Sequence, residues 1–180
     1  MDTIVVRTVA YAAPEEIYDF LIDFPRYARY SKYLTDVRRR SGNTGVGTQY
    51  ALRFAWWKLT YTAHSEVVDV DPPTAIDWRV TKDIDANGAW RIEPRDTLPA
   101  DAPADATVAC DVSLQVAFDP DSADSSVLNL PRLVSFGWVL DRAIPLIRTE
   151  AERVVERAVS DLEGRRRSIE LTIESDSAYL

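Results

Sequence analysis

Histidine and cysteine, the residue types most often used for acid/base and nucleophilic chemistry, each occur once, as His64 and Cys110. A single histidine excludes a multi-histidine metal site, and any Ser-His-Asp or Cys-His triad would depend on that one residue. By strand alternation, His64 shares a face with Thr60, Thr62 and Glu66, which is the polar face. We therefore expect His64 on the solvated side of a sheet, with a role as a cavity acid/base as the alternative.

Cys110 lies between Val108 and Val112 on an apolar face, so we expect a buried core thiol rather than a nucleophile. A lone cysteine excludes an intramolecular disulfide and fits a reducing compartment. The sequence contains no Gly-rich phosphate loop, CxxC pair or HExxH motif. We accordingly assign no catalytic residue and no metal ligand, and we expect no cofactor.

Several charged residues alternate with aromatic residues along the predicted strands. We expect them to form ion pairs across neighbouring strands on the outer face of the sheet. A carboxylate pair in acid/base catalysis would instead need an apolar pocket that separates the two pKa values. The residues are Asp77, Arg79, Arg91, Glu93 and Asp111.

The composition indicates one acidic domain with a hydrophobic core. The chain has 180 residues and a net charge of −8, and Lys occurs only as Lys32, Lys58 and Lys82. Such a surface is typical of a protein that stays soluble in high salt, with GC-rich codon usage as the alternative cause. The acidic balance disfavours nucleic-acid binding. Because no basic, apolar leader and no membrane-length apolar run are present, we expect a cytoplasmic protein without a transmembrane segment.

The order of the predicted elements indicates how the chain folds. A β-rich run at 3–10 precedes a helix that starts at Pro14, and a second short helix begins at Arg26. About six strand-like runs follow, of which Val108–Phe118 alternates most regularly. A long amphipathic helix then ends before Gly164, and Pro145 is expected to kink it or to divide it in two. Such a chain buries its long helix by laying it across a curved sheet, which leaves a cavity between them.

Several short motifs stand along this order: APEEIY at 13–18, DFPRY at 23–27, DPP at 71–73 with IDW at 76–78, and GAWRIEP at 88–94. Together they resemble the helix-grip superfamily, also called START-like or SRPBCC, which includes polyketide cyclases, coenzyme-Q-binding proteins and lipid-transfer domains. The resemblance covers residues 3–163. It implies an α+β fold with a curved antiparallel sheet of six or seven strands, a long C-terminal helix and two short helices after the first strand.

The domain is expected to span residues 1–164. Residues 165–180 are expected to form a flexible tail, with an additional edge strand containing Ile169, Leu171 and Ile173 as the alternative.

Many aromatic and apolar residues fall on elements that face one another in this fold. Some of them are expected to form ordinary core, and the others a ligand pocket with an apolar wall and a few hydroxyl groups. The candidate ligand-binding residues are Tyr27, Tyr30, Tyr33, Tyr50, Leu52, Phe54, Trp78, Trp90, Val112, Leu114, Trp138, Ile144, Ile147 and Ala151.

Trp56 and Trp57 are adjacent at a predicted hairpin reversal, so their side chains point to opposite faces and at least one is expected to be exposed. An exposed Trp at a loop tip is typical of a membrane interface, a protein partner or a pocket lid. Folding of both rings back onto the sheet is the alternative.

The resemblance implies non-covalent binding of a hydrophobic or amphipathic small molecule, such as a quinone, isoprenoid, lipid or polyketide, for carriage, sequestration or presentation. Two alternatives remain open. The same cavity could serve a polyketide cyclase or dehydratase, or the Trp56-Trp57 tip could dock the protein on a membrane surface or a protein. The family contains both enzymes and binding proteins, so the fold alone does not separate them.

Overall fold

The computed structural model describes residues 1–123 and 136–176. Within the final helix it describes the side chains of Trp138, Arg142, Pro145 and Leu146 and those of residues 148–163. The elements, in chain order, are β1 (Asp2–Ala10), α1 (Pro14–Ile22), a 3₁₀ helix (Phe24–Arg29), β2 (Leu34–Ser41), β3 (Gln49–Trp56), β4 (Leu59–Asp71), β5 (Ala75–Val80), β6 (Ala86–Pro94), β7 (Cys110–Phe118), a 3₁₀ turn (Pro120–Ser122), α2 (Phe136–Glu163) and β8 (Thr172–Ser175).

The strands form one antiparallel sheet in the order β2-β3-β4-β5-β6-β7-β1-β8. This architecture confirms the predicted α+β helix-grip fold, with the small helices after the first strand and the long helix near the C-terminus. The strand count was wrong: within the described residues the sheet has eight strands rather than six or seven, because β8 pairs with β1.

The eighth strand comes from the segment that we expected to be a flexible tail. It covers an edge of β1 that would otherwise present unpaired backbone groups. Arg7 of β1 pairs with Glu174 of β8 at 2.7 Å, and the Asp176 N–H donates to the Thr3 carbonyl at 3.2 Å. The alternative prediction, an additional edge strand in this segment, is therefore correct for residues 172–175. The domain boundary at residue 164 stays a prediction.

Helix α1 begins where the sequence predicts. Pro14 occupies the first turn, where its missing donor costs nothing, and Glu15 and Glu16 lie at the positive end of the helix. The Glu16 carboxylate also accepts from the Ala13 N–H at 3.4 Å. One face of the helix is buried, including Ile17 and Phe20, and this face fixes α1 on the sheet.

Helix α2 runs without a break through Pro145. The expectation that this proline divides the helix in two was therefore wrong. A proline removes one backbone donor from a helix, but packing of the following turns can stabilise the helix across that position. Val154, Ala158 and Leu162 supply this packing against the core. The helix ends at Glu163, and Gly164 follows with a φ of 73°, in the left-handed region that favours glycine, as the sequence predicts.

Strand register assigns each side chain to the outer or the inner face of the sheet. On the outer face, Arg79 pairs with Glu66 at 3.0 Å and Arg91 pairs with Asp77 at 2.7 Å. These contacts confirm the predicted ion pairs between neighbouring strands. His64 lies on the same outer face, opposite Ala51 of β3, also as predicted.

Two further charged residues, Glu93 and Asp111, lie opposite each other on the outer face of β6 and β7. Arg95, which follows β6, approaches the Asp111 carboxylate at 3.6 Å. The charged residues singled out in the sequence therefore lie on the outer face and not on the side that α2 covers.

Cys110 is fully buried on the inner face at the start of β7, as predicted. Its thiol donates to the Ala12 carbonyl at 3.5 Å. Burial raises the pKa of the thiol, and the negative charges of Asp111 and Glu15 add to this effect. A thiol in these surroundings is a poor nucleophile.

Candidate functional site

The inner face of the sheet is apolar, and its burial changes along the strands. At one end, α1 and the 3₁₀ helix cover the sheet, and the inner-face residues there are almost inaccessible to water. They include Tyr50, Val67, Ile76, Ile92 and Cys110. This end of the concavity is closed by ordinary core packing.

The same face stays apolar toward the other end, but its side chains are only partly covered. Leu52, Trp78, Trp90 and Leu114 are half-buried, and Phe54 is 39% exposed. Each lies two or four positions along its strand from a fully buried residue, and so points to the same side of the sheet. The arrangement is a concave apolar wall that the described part of the chain covers incompletely.

Trp78 is fixed on this wall by the glycine opposite it. Gly88 of β6 pairs with Trp78 of β5, and the indole ring lies directly over it. A Cβ atom at position 88 would be 2.1 Å from Cζ2 of Trp78, far inside contact distance. Because glycine has no side chain, the Trp78 ring can lie flat against the sheet at position 88.

The tyrosines of the small-helix region occupy different environments. Tyr27 donates its hydroxyl to the Leu21 carbonyl, and its ring packs edge-on against Trp90 with centroids 6.3 Å apart. Desolvation raises the pKa of Tyr27 well above its usual value. Tyr33 is half-buried, with the Lys32 ammonium group 4.8 Å above its ring.

Tyr30 contributes to helix packing. Its ring stacks on Phe20 of α1 at 5.7 Å, and its hydroxyl donates to the Asp161 carboxylate of α2. Burial first, and then this hydrogen bond, raise the pKa of Tyr30. Its backbone carbonyl accepts from Arg157 at 2.6 Å. The hydroxyl is thus used to join the small helices to α2.

Tyr50 has a different environment, at the closed end of the wall. It is 1% exposed, and its ring packs on Phe24 with centroids 4.8 Å apart. Its hydroxyl is buried and has no hydrogen-bond partner among the described residues. Desolvation raises the pKa of Tyr50, so the group is a neutral phenol that can donate to or accept from a ligand.

Helix α2 supplies part of the predicted wall. Trp138 is 37% exposed and Ala151 is half-buried. The side chains of Ile144 and Ile147 lie outside the described residues. Val112, the remaining predicted residue, is 8% exposed and belongs to the core at the closed end. The ligand-binding role of the whole predicted set stays a prediction.

One of the two tryptophans at the β3–β4 hairpin tip is exposed, as the sequence predicts. Trp57 is 61% exposed, whereas Trp56 is half-buried on the inner face. The Trp57 ring is 6.3 Å from that of Trp138. Lys58 lies 5.6 Å from the Trp57 ring, and Arg142 lies at the same distance from Trp138. The tip is therefore an aromatic surface with two cations beside it.

Tyr61, Ser65 and Val80 are among the inner-face residues that were absent from the sequence-based set. A usable signal was present, because they alternate with residues that the sequence places on the outer face, as Tyr61 does with Thr60 and Thr62. Val80 continues the apolar alternation of Ile76 and Trp78, whereas Tyr61 and Ser65 belong to a face of β4 with no regular apolar pattern; the pairing of β4 with β3 and β5 brings all three to the same wall.

The described part of the chain offers neither a metal cluster nor a membrane-spanning helix. Within residues 1–123 and 136–176, no group of three or more His, Cys, Asp or Glu side chains could hold a metal ion. Among the helices in the same part of the chain, none is long and apolar enough to cross a membrane.

Comparison with known proteins identifies the family. The family described as polyketide cyclase / dehydrase and lipid transport matches residues 1–163. The chain therefore belongs to this family, in agreement with the SRPBCC resemblance of its motifs. A search of curated proteins found no match.

Solved structures share the fold at low sequence identity. The protein TTHA0849 of Thermus thermophilus has a TM-score of 0.56 and 14% identity over 89% of this chain and 95% of its own. Ara h 8.0201 has a TM-score of 0.53 and 11% identity, covering 91% and 98% of the two chains. The di-domain ARO/CYC BexL from the BE-7585A biosynthetic pathway has a TM-score of 0.54 and 14% identity, and the match covers 92% of this chain and 51% of BexL. These likenesses show the fold alone.

Proposed function

We propose that this protein binds a hydrophobic or amphipathic small molecule, non-covalently, between the inner face of the sheet and α2. The observation that carries the proposal is the incompletely covered apolar wall. Phe54 is exposed on the inner face, and Trp78 and Trp90 stay partly exposed there although they also pack against the core. Isolated exposed apolar residues are common, but a contiguous concave set is typical of ligand sites.

Burial of apolar ligand surface would drive binding at about 25 cal/mol per Å². Tyrosine hydroxyls on the wall would then orient the ligand. The family name, polyketide cyclase / dehydrase and lipid transport, supports ligands of the polyketide or lipid class. Quinones and isoprenoids have the same apolar chemistry.

Titration with the neutral fluorescent probe N-phenyl-1-naphthylamine tests this site. Phe54→Ser removes an aromatic ring from the wall and should weaken probe binding about tenfold, which corresponds to about 1.4 kcal/mol of lost apolar contact. Val68→Ser is the matched control, since Val68 is 40% exposed beside the bulge in β4 while its neighbour Val67 points inward. Equal loss of affinity in both variants, or no binding by the wild type, would contradict the proposal.

Extraction of the purified protein with organic solvent, followed by mass spectrometry, tests carriage directly. A carrier should release a bound apolar compound in a stoichiometric amount. The absence of any such compound, together with failure to bind the probe, counts against carriage and sequestration alike.

A second candidate function is docking on a membrane surface through the hairpin tip. The exposed Trp57 ring, with Lys58 beside it, has the chemistry of an interfacial anchor that meets anionic lipid. Trp57→Ser should reduce co-flotation with phosphatidylcholine vesicles containing phosphatidylglycerol. It should leave binding of the fluorescent probe unchanged. Equal flotation of the variant and the wild type would refute docking through this residue.

A further inference from the structure

Tyr61 places a second phenol on the inner wall, and its hydroxyl is buried like that of Tyr50. It lies opposite Phe54 in the register of β3 and β4, four residues before Ser65, which is the partner of Tyr50. Its hydroxyl is buried and makes no hydrogen bond to any described residue. A buried hydroxyl without a partner is costly, so native proteins seldom leave one unused.

The loop after β5 brings a carboxylate toward this phenol. Val80 is the partner of Ser65 in the register, and the Thr81 N–H donates to the His64 carbonyl at 2.8 Å. The chain therefore leaves β5 alongside β4, in the direction of Tyr61, and Asp83 follows two residues later. Burial, and then the negative charge of Asp83, raise the pKa of Tyr61, which agrees with this proximity.

The Asp83 side chain is largely enclosed. It is 10% exposed, and its ion pair with Lys82 is a distant one, at 3.9 Å. Its φ of 77° is in the left-handed region, which an aspartate adopts at a modest energetic cost. An open groove of about 440 Å³, lined by residues 80–85 and Ser122, adjoins the carboxylate.

We propose that Tyr61 and Asp83 form a polar end of the apolar concavity that selects ligands carrying a hydroxyl group. The inference rests on the proposed binding function and adds a substrate class to it. A carboxylate only accepts hydrogen bonds, whereas a neutral phenol can donate one. A ligand hydroxyl would donate to Asp83 and accept from Tyr61, which gives the buried Tyr61 hydroxyl the partner that it lacks among the described residues.

Competition between two probes of similar shape tests this selectivity. 2-Naphthol and 2-methylnaphthalene differ by a hydroxyl in place of a methyl group, and each would displace N-phenyl-1-naphthylamine from the protein. The ratio of their inhibition constants should shift about three- to tenfold against 2-naphthol in Tyr61→Phe, the usual effect of one hydrogen bond. Asp83→Asn should shift the ratio in the same direction.

Tyr11→Phe is the matched control, because Tyr11 lies away from this wall, with Arg167 4.6 Å from its ring. It should leave the ratio at its wild-type value. Circular dichroism verifies that each variant folds, and Asp83→Asn tests the site if Tyr61→Phe does not fold.

An unchanged ratio in the folded variants overturns the inference and leaves the proposed function intact. Failure of the wild type to bind any of the three compounds overturns both.

Discussion

The contact between Gly88 and Trp78 leads to a sharp prediction about the wall. Gly88→Ala adds one methyl group that would lie 2.1 to 2.7 Å from three carbon atoms of the indole ring. The contacted atoms belong to a rigid ring that lies against a strand, so the ring must leave its position. Overpacking of this kind costs about 1 to 3 kcal/mol.

Thermal unfolding gives the measurement. For a domain of this size, 1 kcal/mol corresponds to about 2 to 4 °C, so Gly88→Ala should lower the Tm by about 2 to 12 °C. It should also weaken binding of N-phenyl-1-naphthylamine, because the displaced indole enters the concavity. Gly45→Ala is the control, since a Cβ there meets no atom within 4 Å and the residue has no left-handed φ.

A double variant isolates the contact. Combining Gly88→Ala with Trp78→Leu removes the ring that the methyl group meets, so the two changes should cost less together than the sum of their separate costs, by about 0.5 to 3 kcal/mol. If the losses of stability in the two single variants simply add in the double variant, or if Gly88→Ala is as stable as Gly45→Ala, then Gly88 is not needed for the position of the Trp78 ring.

Three other changes have defined outcomes. Glu150→Gln should lower the free energy of unfolding in urea by about 1 to 3 kcal/mol, since this buried carboxylate accepts from the Lys32 N–H and from Arg157 at 3.3 Å each. Glu152 is exposed, so Glu152→Gln should change the free energy of unfolding very little. His64→Ala should leave probe binding at its wild-type value because His64 lies on the outer face, and a loss of binding would show that the wall is assigned to the wrong side. Burial raises the folded-state pKa of Tyr27 and of other buried tyrosines above the unfolded value. The stability that these tyrosines contribute is therefore complete below a pH of about 10 and should fall as the pH rises further. Absorbance at 295 nm and the Tm, measured against pH, should change together.

The local sequence predicted the two faces of the sheet well. The alternation of Cys110, Val112 and Leu114 with charged and small residues marks the inner face of β7, and the structure bears this out. The Pro14 helix start and the Gly164 stop were also predictable. Each of these signals depends on a few consecutive residues and on the geometry of one element.

The eighth strand shows where such signals end. Residues 172–175 are few and only weakly apolar, so their own pattern does not distinguish a strand from a free tail. Their pairing depends on β1, at the opposite end of the chain. An edge strand takes much of its stability from its partner, and local propensity does not report the partner.

The individual roles of the tyrosines were equally beyond local patterns. The spacing of Tyr27, Tyr30 and Tyr33 predicted aromatic residues near the wall, yet only the structure shows that the Tyr30 hydroxyl is taken by Asp161, 131 residues away. The hydroxyl of Tyr61, in contrast, is buried without a described partner, and Tyr61 lies on the inner face of the sheet.

The sequence by itself determined which residues are apolar, which alternate and where the helices start and stop, because these properties are encoded within one turn or one strand. Only the tertiary structure decided which tyrosine hydroxyls have a protein partner and why a side chain at position 88 would collide with Trp78. Those properties arise between strands and helices that are distant in sequence, and strand register, which sets them, is a property of the pair and not of either strand alone.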